Sequence, residues 1–259
     1  MADFESNVNW FPGHMAKTLR KIEGIVKLID FWFEIVDARA PISTQAYGVF
    51  DALKNKPRVL VLNRYDLSDP FETDRWVTYF SSNYLYVLKA NSKKSINLNF
   101  LNSLRLKKKG SRFFTLVAGI PNVGKSSFIN SVCHSKKQKV ENRAGVTRDL
   151  SWVSYKNLEL CDTPGILPCK IDPLHSKYIS YLGLIKSEIL DLEDLTLNLI
   201  CDLYGVSMED SRLKLLEFAK SNGYVLKGNE LDTKRASGAF LKKFREGKFG
   251  RISLEVVNK

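Results

Sequence analysis

The octet Gly119-Ile120-Pro121-Asn122-Val123-Gly124-Lys125-Ser126 has the spacing G-x-x-x-x-G-K-S. Its two glycines let the backbone curl so that successive N–H groups face an anion, and a helix leaving the octet adds its positive N-terminus. The chemistry this predicts is a phosphate cradle. Pro121, Asn122, Val123, Gly124, Lys125, Ser126 and Ser127 are the expected phosphate-binding residues. Lys125 is the expected catalytic cation, reaching β- and γ-phosphate oxygens, and the Ser126 hydroxyl is an expected Mg²⁺ ligand.

Two further segments fit around that cradle. Asp162-Thr163-Pro164-Gly165 ends an apolar run. In a phosphate-binding loop protein this position supplies an Asp for the Mg²⁺ shell and a Gly whose N–H faces the γ-phosphate. Between the two lies Gly145-Val146-Thr147-Arg148. A threonine here is expected to close on Mg²⁺ when a triphosphate is bound, and Thr147 suits that role better than Thr163. An ordinary loop threonine is the alternative.

Asn63-Arg64-Tyr65-Asp66 carries a different chemistry. Asn63 can bond the major-groove edge of guanine, and Asp66 can accept from its ring N–H and exocyclic amine. Adenine offers no such donor pair, so Asp66 would be left unpaired beside it. The common form of this segment is N-K-x-D, where the Lys stem lies along the base. The Arg64 stem can do the same. Lys89-Ala90 stands as a degenerate form of the S-A pair that backs the base.

These residues need strands that end beside one another. The run FWFEIV (31–36), then PRVLVL (57–62), YLYVLKA (84–90), FFTLVAG (113–119), SWVSY (151–155) and LELCD (158–162) are strand-like. Helical spacing is predicted over 15–29, over 70–83 behind Pro70, and from Lys125. Residues 104–112 are a basic loop or helix end, and the polar segment 135–148 is a loop. Beyond Pro173 only helical patterns remain, at 176–190, 193–204, 209–222 and 233–246. Alternating strands and helices predict an α/β domain with a mostly parallel sheet over residues 1–172, followed by a small all-helical domain over 173–259.

The 259 residues carry a formal charge of +12, which favours a polyanionic partner, nucleic acid above all. Lys107-Lys108-Lys109, Lys136-Lys137 with Lys139, and the tail from Lys234 to Arg251 are the basic clusters. Phe240 and Phe244 lie among the tail's charges at helical spacing, which favours core over base stacking. No apolar run reaches the length of a membrane span, and the N-terminus does not resemble a signal peptide. Cys133, Cys161, Cys169 and Cys201 form no C-x-x-C pair, so reduced thiols are expected rather than a zinc site. A cytoplasmic monomer is expected.

In this order (guanine segment, Lys89-Ala90, phosphate loop, Thr147, then D-T-P-G) the chain resembles the YlqF/RbgA family of circularly permuted ribosome-assembly GTPases. Trp10-Phe11-Pro12-Gly13-His14-Met15, Asp37-Ala38-Arg39-Ala40-Pro41 and Gly250-Arg251-Ile252-Ser253-Leu254-Glu255 also match it. Arg64 for Lys, Lys89 for Ser and Ala144 for Pro depart from it. The resemblance implies a permuted Ras-like fold, GTP hydrolysis, a role on the large ribosomal subunit, and rRNA binding through the helical domain. It implies that Asn122 ligates K⁺, beside the bland reading of a loop asparagine bonded to its own backbone. It also makes His14 a catalytic candidate for orienting water, a structural lock or an RNA contact being the alternative. Ile166 occupies the position where many GTPases place a water-orienting Gln, so slow hydrolysis without a partner is implied. D-T-P-G leads directly into the helical domain, so loss of the γ-phosphate is expected to reorient that domain. Two other readings remain: an RNA-binding module holding nucleotide structurally, and an ATP-dependent enzyme with a chance N-R-Y-D.

Overall fold

A computed structural model describes residues 13–46, 49–103, 111–133, 140–141, 150–168, 171–185 and 191–257. Among the described residues, seven strands form one sheet in the order β3-β2-β1-β4-β7-β6-β5. They are β1 (Phe31–Asp37), β2 (Arg58–Asn63), β3 (Tyr86–Ala90), β4 (Phe113–Ala118), β5 (Val140–Glu141), β6 (Ser151–Tyr155) and β7 (Leu158–Asp162). The first five in spatial order run parallel, while β6 and β5 are antiparallel. The central strands β1 and β2 are near-continuous apolar runs because helices cover both faces of the sheet.

Register explains why distant motifs can share a site. Asp37 pairs with Asn63, and Asn63 with Ala90. On the other side Val117 pairs with Asp162. The segments after β1, β2, β3, β4 and β7 therefore all leave the sheet at its carboxyl edge, where open α/β sheets bind ligands. β1 and β2 precede β4 in the chain yet flank it on one side. The sheet thus keeps its loops in place although the connections are permuted.

Helices α1 (Gly13–Ile25), α2 (Pro70–Phe80) and α3 (Lys125–Cys133) belong to the sheet unit, and α4 (Pro173–Tyr181), α5 (Leu192–Tyr204), α6 (Met208–Ser221) and α7 (Thr233–Arg245) follow. Side chains of Asp69, Asp172, Asp191, Ser207 and Asp232 cap five of these helices at their N-termini. Several predicted elements are shorter than their patterns. The helix expected over 15–29 ends at Ile25 in a 3-10 turn, that over 70–83 ends at Phe80, and that over 176–190 ends at Tyr181, two residues before Gly183 (φ +70°). The polar segment 135–148, expected as a loop, contributes the short strand β5, which pairs with β6. One apolar core runs from the sheet through α4–α7. Phe240 lies 5.2 Å from Phe218 and 4.6 Å from Phe249, and Phe244 is buried with it, so both are core residues. No helix among the described residues is long and apolar enough to cross a membrane. Cys133, Cys161 and Cys201 are free, and Cys169 lies outside the described residues.

Candidate functional site

The phosphate loop turns tightly because two glycines give it room. A Cβ at Gly119 would meet the Ile35 carbonyl at 2.6 Å. Gly124 has φ +105°, and a Cβ there would stand 2.4 Å from Asn63 Nδ2. Lys125 opens α3 and is buried. Its Nζ donates to the Ile120 carbonyl at 2.9 Å. Burial pulls its pKa down to about 8, against the opposing charge of Asp162. The Ser126 hydroxyl donates to Asp162 Oδ2 at 2.8 Å, whereas Asp162 Oδ1 is buried without a partner among the described residues. Such an orphaned carboxylate oxygen beside a hydroxyl fits a Mg²⁺ that takes one carboxylate, one hydroxyl, phosphate and water. Clusters of three or more His, Cys, Asp or Glu are absent among the described residues, and this ion does not need one.

Asp162-Thr163-Pro164-Gly165 lies directly on the phosphate loop. A Cβ at Gly165 would be 2.4 Å from Pro121 Cα and 2.9 Å from Lys125 Nζ. The Thr163 hydroxyl donates to the Val117 carbonyl at 2.8 Å. The Ile166 N–H reaches the Gly119 carbonyl at 3.3 Å, and its side chain is fully buried. Together these segments line a cleft of about 610 Å³.

A second recess, of about 320 Å³, meets that cleft at Arg64, Gly124 and Ser127. Asn63, Asp66, Leu182, Arg245 and Glu246 line it with the segment Asn91-Ser92-Lys93. Asn63 Nδ2 donates to the Val123 carbonyl at 2.9 Å, and Asn63 Oδ1 accepts from the Ser92 hydroxyl at 2.7 Å. One amide hydrogen is left for a ligand. The expectation for Lys89 and Ala90 requires correction. Lys89 turns to the outer side of β3 and pairs with Asp74 at 2.7 Å, and Ala90 is buried in the core. The next three residues line the recess instead, because the strand ends at Ala90 and the chain turns there.

Arg64 lines both the cleft and the recess. It sits at φ +58°, and its guanidinium does not lie free along the recess. NH1 donates to Asp37 Oδ2 at 2.9 Å and NH2 to the Asn122 carbonyl at 2.9 Å. Asp37 is itself gripped by Arg39, with Nε on Oδ1 at 2.9 Å and NH2 on Oδ2 at 2.8 Å. Burial alone would raise the Asp37 pKa, but the charge and hydrogen bonds of Arg39, then the charge of Arg64, hold it below the usual carboxylate range. Asn122, at φ +59°, donates its amide to the Leu184 carbonyl at 3.2 Å rather than to its own backbone. The amide oxygen, the atom a K⁺ would take, is engaged by no described residue.

Thr147, with Gly145, Val146 and Arg148, lies outside the described residues, as do Lys107–Lys109 and Lys136, Lys137 and Lys139. His14 falls in the first turn of α1, and its side chain is likewise outside them. The basic tail divides. Arg245 donates Nε to the Tyr181 carbonyl at 2.8 Å and NH2 to that of Ser180 at 2.9 Å, and Arg251 grips the Ser68 and Tyr65 carbonyls. Those two guanidiniums are thus tied to backbone carbonyls, Arg245 half-buried and Arg251 exposed, while Lys234, Lys242 and Lys248 face outward. The Asp37–Arg39 pair and the Asn91–Lys93 lining carry no local chemical signature of their own. Only the resemblance singles out 37–41.

The profile described as 50S ribosome-binding GTPase matches residues 114–226, beginning at β4 just before the phosphate loop and leaving the guanine segment upstream. Ribosome biogenesis GTPase A of Bacillus licheniformis is 34% identical over 277 residues, covering 96% of this chain and 98% of its own. Ribosome biogenesis GTPase A of Thermotoga maritima is 31% identical over 254 residues, covering 96% of this chain and 94% of its own. The crystal structure of GNP-bound YlqF from T. maritima superposes with a TM-score of 0.69 at 26% identity, covering 93% of this chain and 98% of that one.

Proposed function

The chain belongs to the ribosome biogenesis GTPase A (YlqF/RbgA) family, and from that membership we propose that it is a GTP-hydrolysing assembly factor for the large ribosomal subunit. One observation carries the reading to this chain's own residues: the phosphate cleft and the base recess meet at Gly124, so one nucleotide would span both. Lys125 and the N–H groups opening α3 would bind the phosphates, and Ser126, Asp162 and Thr147 would hold Mg²⁺. Mg²⁺ supplies positive charge against the leaving phosphate oxygens. Asp66 would accept from the guanine ring N–H and amine, with Asn63 donating to the base's other edge. Gly165 would present its N–H to the γ-phosphate.

Ile166 is withdrawn into the core, so its side chain cannot orient an attacking water. Slow hydrolysis alone follows, with the missing assistance coming from His14, from K⁺ at the Asn122 amide oxygen, or from the ribosomal particle. The division of the chain at residue 172 fits a catalytic sheet unit followed by a helical unit that meets rRNA through the outward lysines of α7. The direct bond from Asn122 to Leu184 favours communication between the two. GTP turnover measured against excess ATP, in K⁺ and in Na⁺, tests this reading. GTP hydrolysis should resist ATP and run faster in K⁺. Effective competition by ATP would refute the role of Asp66, and equal rates in both salts would refute that of Asn122.

A further inference from the structure

The loop that carries Asp66 is closed on its inner side by its own bonds. The Leu67 N–H donates to the Arg64 carbonyl at 2.9 Å, and the Ser68 hydroxyl to that of Tyr65 at 3.0 Å. Carbonyls of the same loop also accept from Arg251 and Ile252. Arg251 places Nε 2.9 Å from the Ser68 carbonyl and NH2 3.0 Å from that of Tyr65, so one planar guanidinium spans the two peptides on either side of Asp66-Leu67. The Ile252 N–H donates to the Leu67 carbonyl between them at 3.0 Å, and Asp69 N–H donates to the Ser253 hydroxyl at 3.1 Å. Gly247 presses on the same loop, where a Cβ would lie 2.7 Å from Leu67 Cδ2.

This strap is fastened beyond the loop as well. The Leu254 N–H donates to the Arg39 carbonyl at 2.7 Å, and the Glu255 carboxylate accepts from the Ile42 and Ser43 N–H groups at 2.7 and 2.9 Å. Arg39 in turn holds Asp37, which holds Arg64 at the start of the loop. The segment is thus a brace with fixed ends, and its middle is the Arg251 guanidinium.

We propose that Arg251 is a positioning residue for base selectivity: through the Tyr65 and Ser68 carbonyls it holds the 64–68 loop so that Asp66 points into the recess. The proposal rests on the reading that Asp66 recognises guanine. Selectivity demands placement because a carboxylate displaced by about 1 Å trades two short charge-assisted bonds for long ones.

The test is displacement of N-methylanthraniloyl-GDP from the full-length protein by GDP and by ADP. Arg251→Ala should lower the preference for GDP over ADP by roughly 10-fold, the equivalent of one charge-assisted hydrogen bond, through weaker GDP binding with ADP binding unchanged. Arg251→Lys, which can serve only one carbonyl, should give an intermediate ratio and covers the case in which the alanine variant does not fold. A brace that served stability alone would lower the melting temperature and leave the ratio at its wild-type value, and that result in either variant overturns the proposal. Asp66→Ala should collapse the ratio further. If it does not, the guanine reading itself has failed and the proposal falls with it.

Discussion

Asp37 is the buried hub of the site, and its replacement has a size that can be worked out from its neighbours. Its carboxylate takes two bonds from the Arg39 guanidinium, a third from the Arg39 N–H and one from Arg64. Arg39 is 1% exposed, and Arg64 is 31% exposed. Asp37→Asn keeps the shape and removes the charge, which leaves the Arg39 cation buried without a counter-ion. Removing one member of a buried pair costs about 3–5 kcal/mol. Arg64→Ala leaves the Asp37–Arg39 pair whole, and water screens the contact it deletes, so its cost should be only about 1 kcal/mol. The ranking is the prediction: Asp37→Asn costs several times more than Arg64→Ala. Urea unfolding of both variants at neutral pH, without nucleotide, measures it. Because the Asp37 pKa is lowered in the fold, the stabilisation it brings is present above the ordinary carboxylate range and lost only as pH falls through the lowered value. The gap between wild type and Asp37→Asn should therefore persist at mildly acid pH. A cost for Asp37→Asn below about 1 kcal/mol, or equal costs for the two variants, would refute the claim that this carboxylate compensates a buried cation.

Three other perturbations follow from the geometry. Gly124→Ala meets both a positive φ and Asn63 Nδ2 at 2.4 Å, so it should push Asn63 off the Val123 carbonyl and weaken GDP binding by roughly 100-fold; affinity within a fewfold of wild type, by fluorescent-nucleotide titration, would contradict it. The depressed Lys125 pKa makes the unfolded chain bind the extra proton between about 8 and the ordinary 10.5. Nucleotide-free stability relative to Lys125→Met should therefore rise with pH across that window, while GDP affinity falls above pH 8. A flat difference in thermal melts would count against the buried ammonium. Ile166→Gln should restore no hydrolysis, because the side chain points into the core, and it should destabilise by roughly 2 kcal/mol. A faster, equally stable variant would show that position 166 can reach the cleft.

What is legible in the sequence follows from where its signals are local. Phosphate-loop chemistry is contained in eight consecutive residues and depends on glycine conformations, so the residue string alone discloses it. Strand order is legible only through motif order: nothing local in Phe31–Asp37 says that β1 lies between β2 and β4. The place of Lys89 is not legible, because side-chain alternation at a strand end is decided by register, here against Leu62 on β2, and by the attraction of Asp74 on α2. An Arg64 stem can lie along a base, which is all that position 64 shows. The competing attraction of Asp37, far off in the chain and fully buried, cannot be inferred from it. The division of the tail's charges is illegible for the same reason. Arg245 and Arg251 are engaged by carbonyls of α4 and of the 64–68 loop, which are tertiary features. Apolar spacing overruns a helix end where a glycine two residues on, as at Gly183, sets the stop more sharply.

The buried Ile166 side chain can orient no water, and the proposed function makes the large ribosomal subunit a source of that assistance. GTP turnover by the purified chain, with and without large ribosomal subunits in K⁺ and Mg²⁺, tests this head-on. Turnover should be slow alone and rise at least roughly 10-fold with the particle, as partner-supplied groups provide in other GTPases. Equal turnover in the two conditions would contradict it.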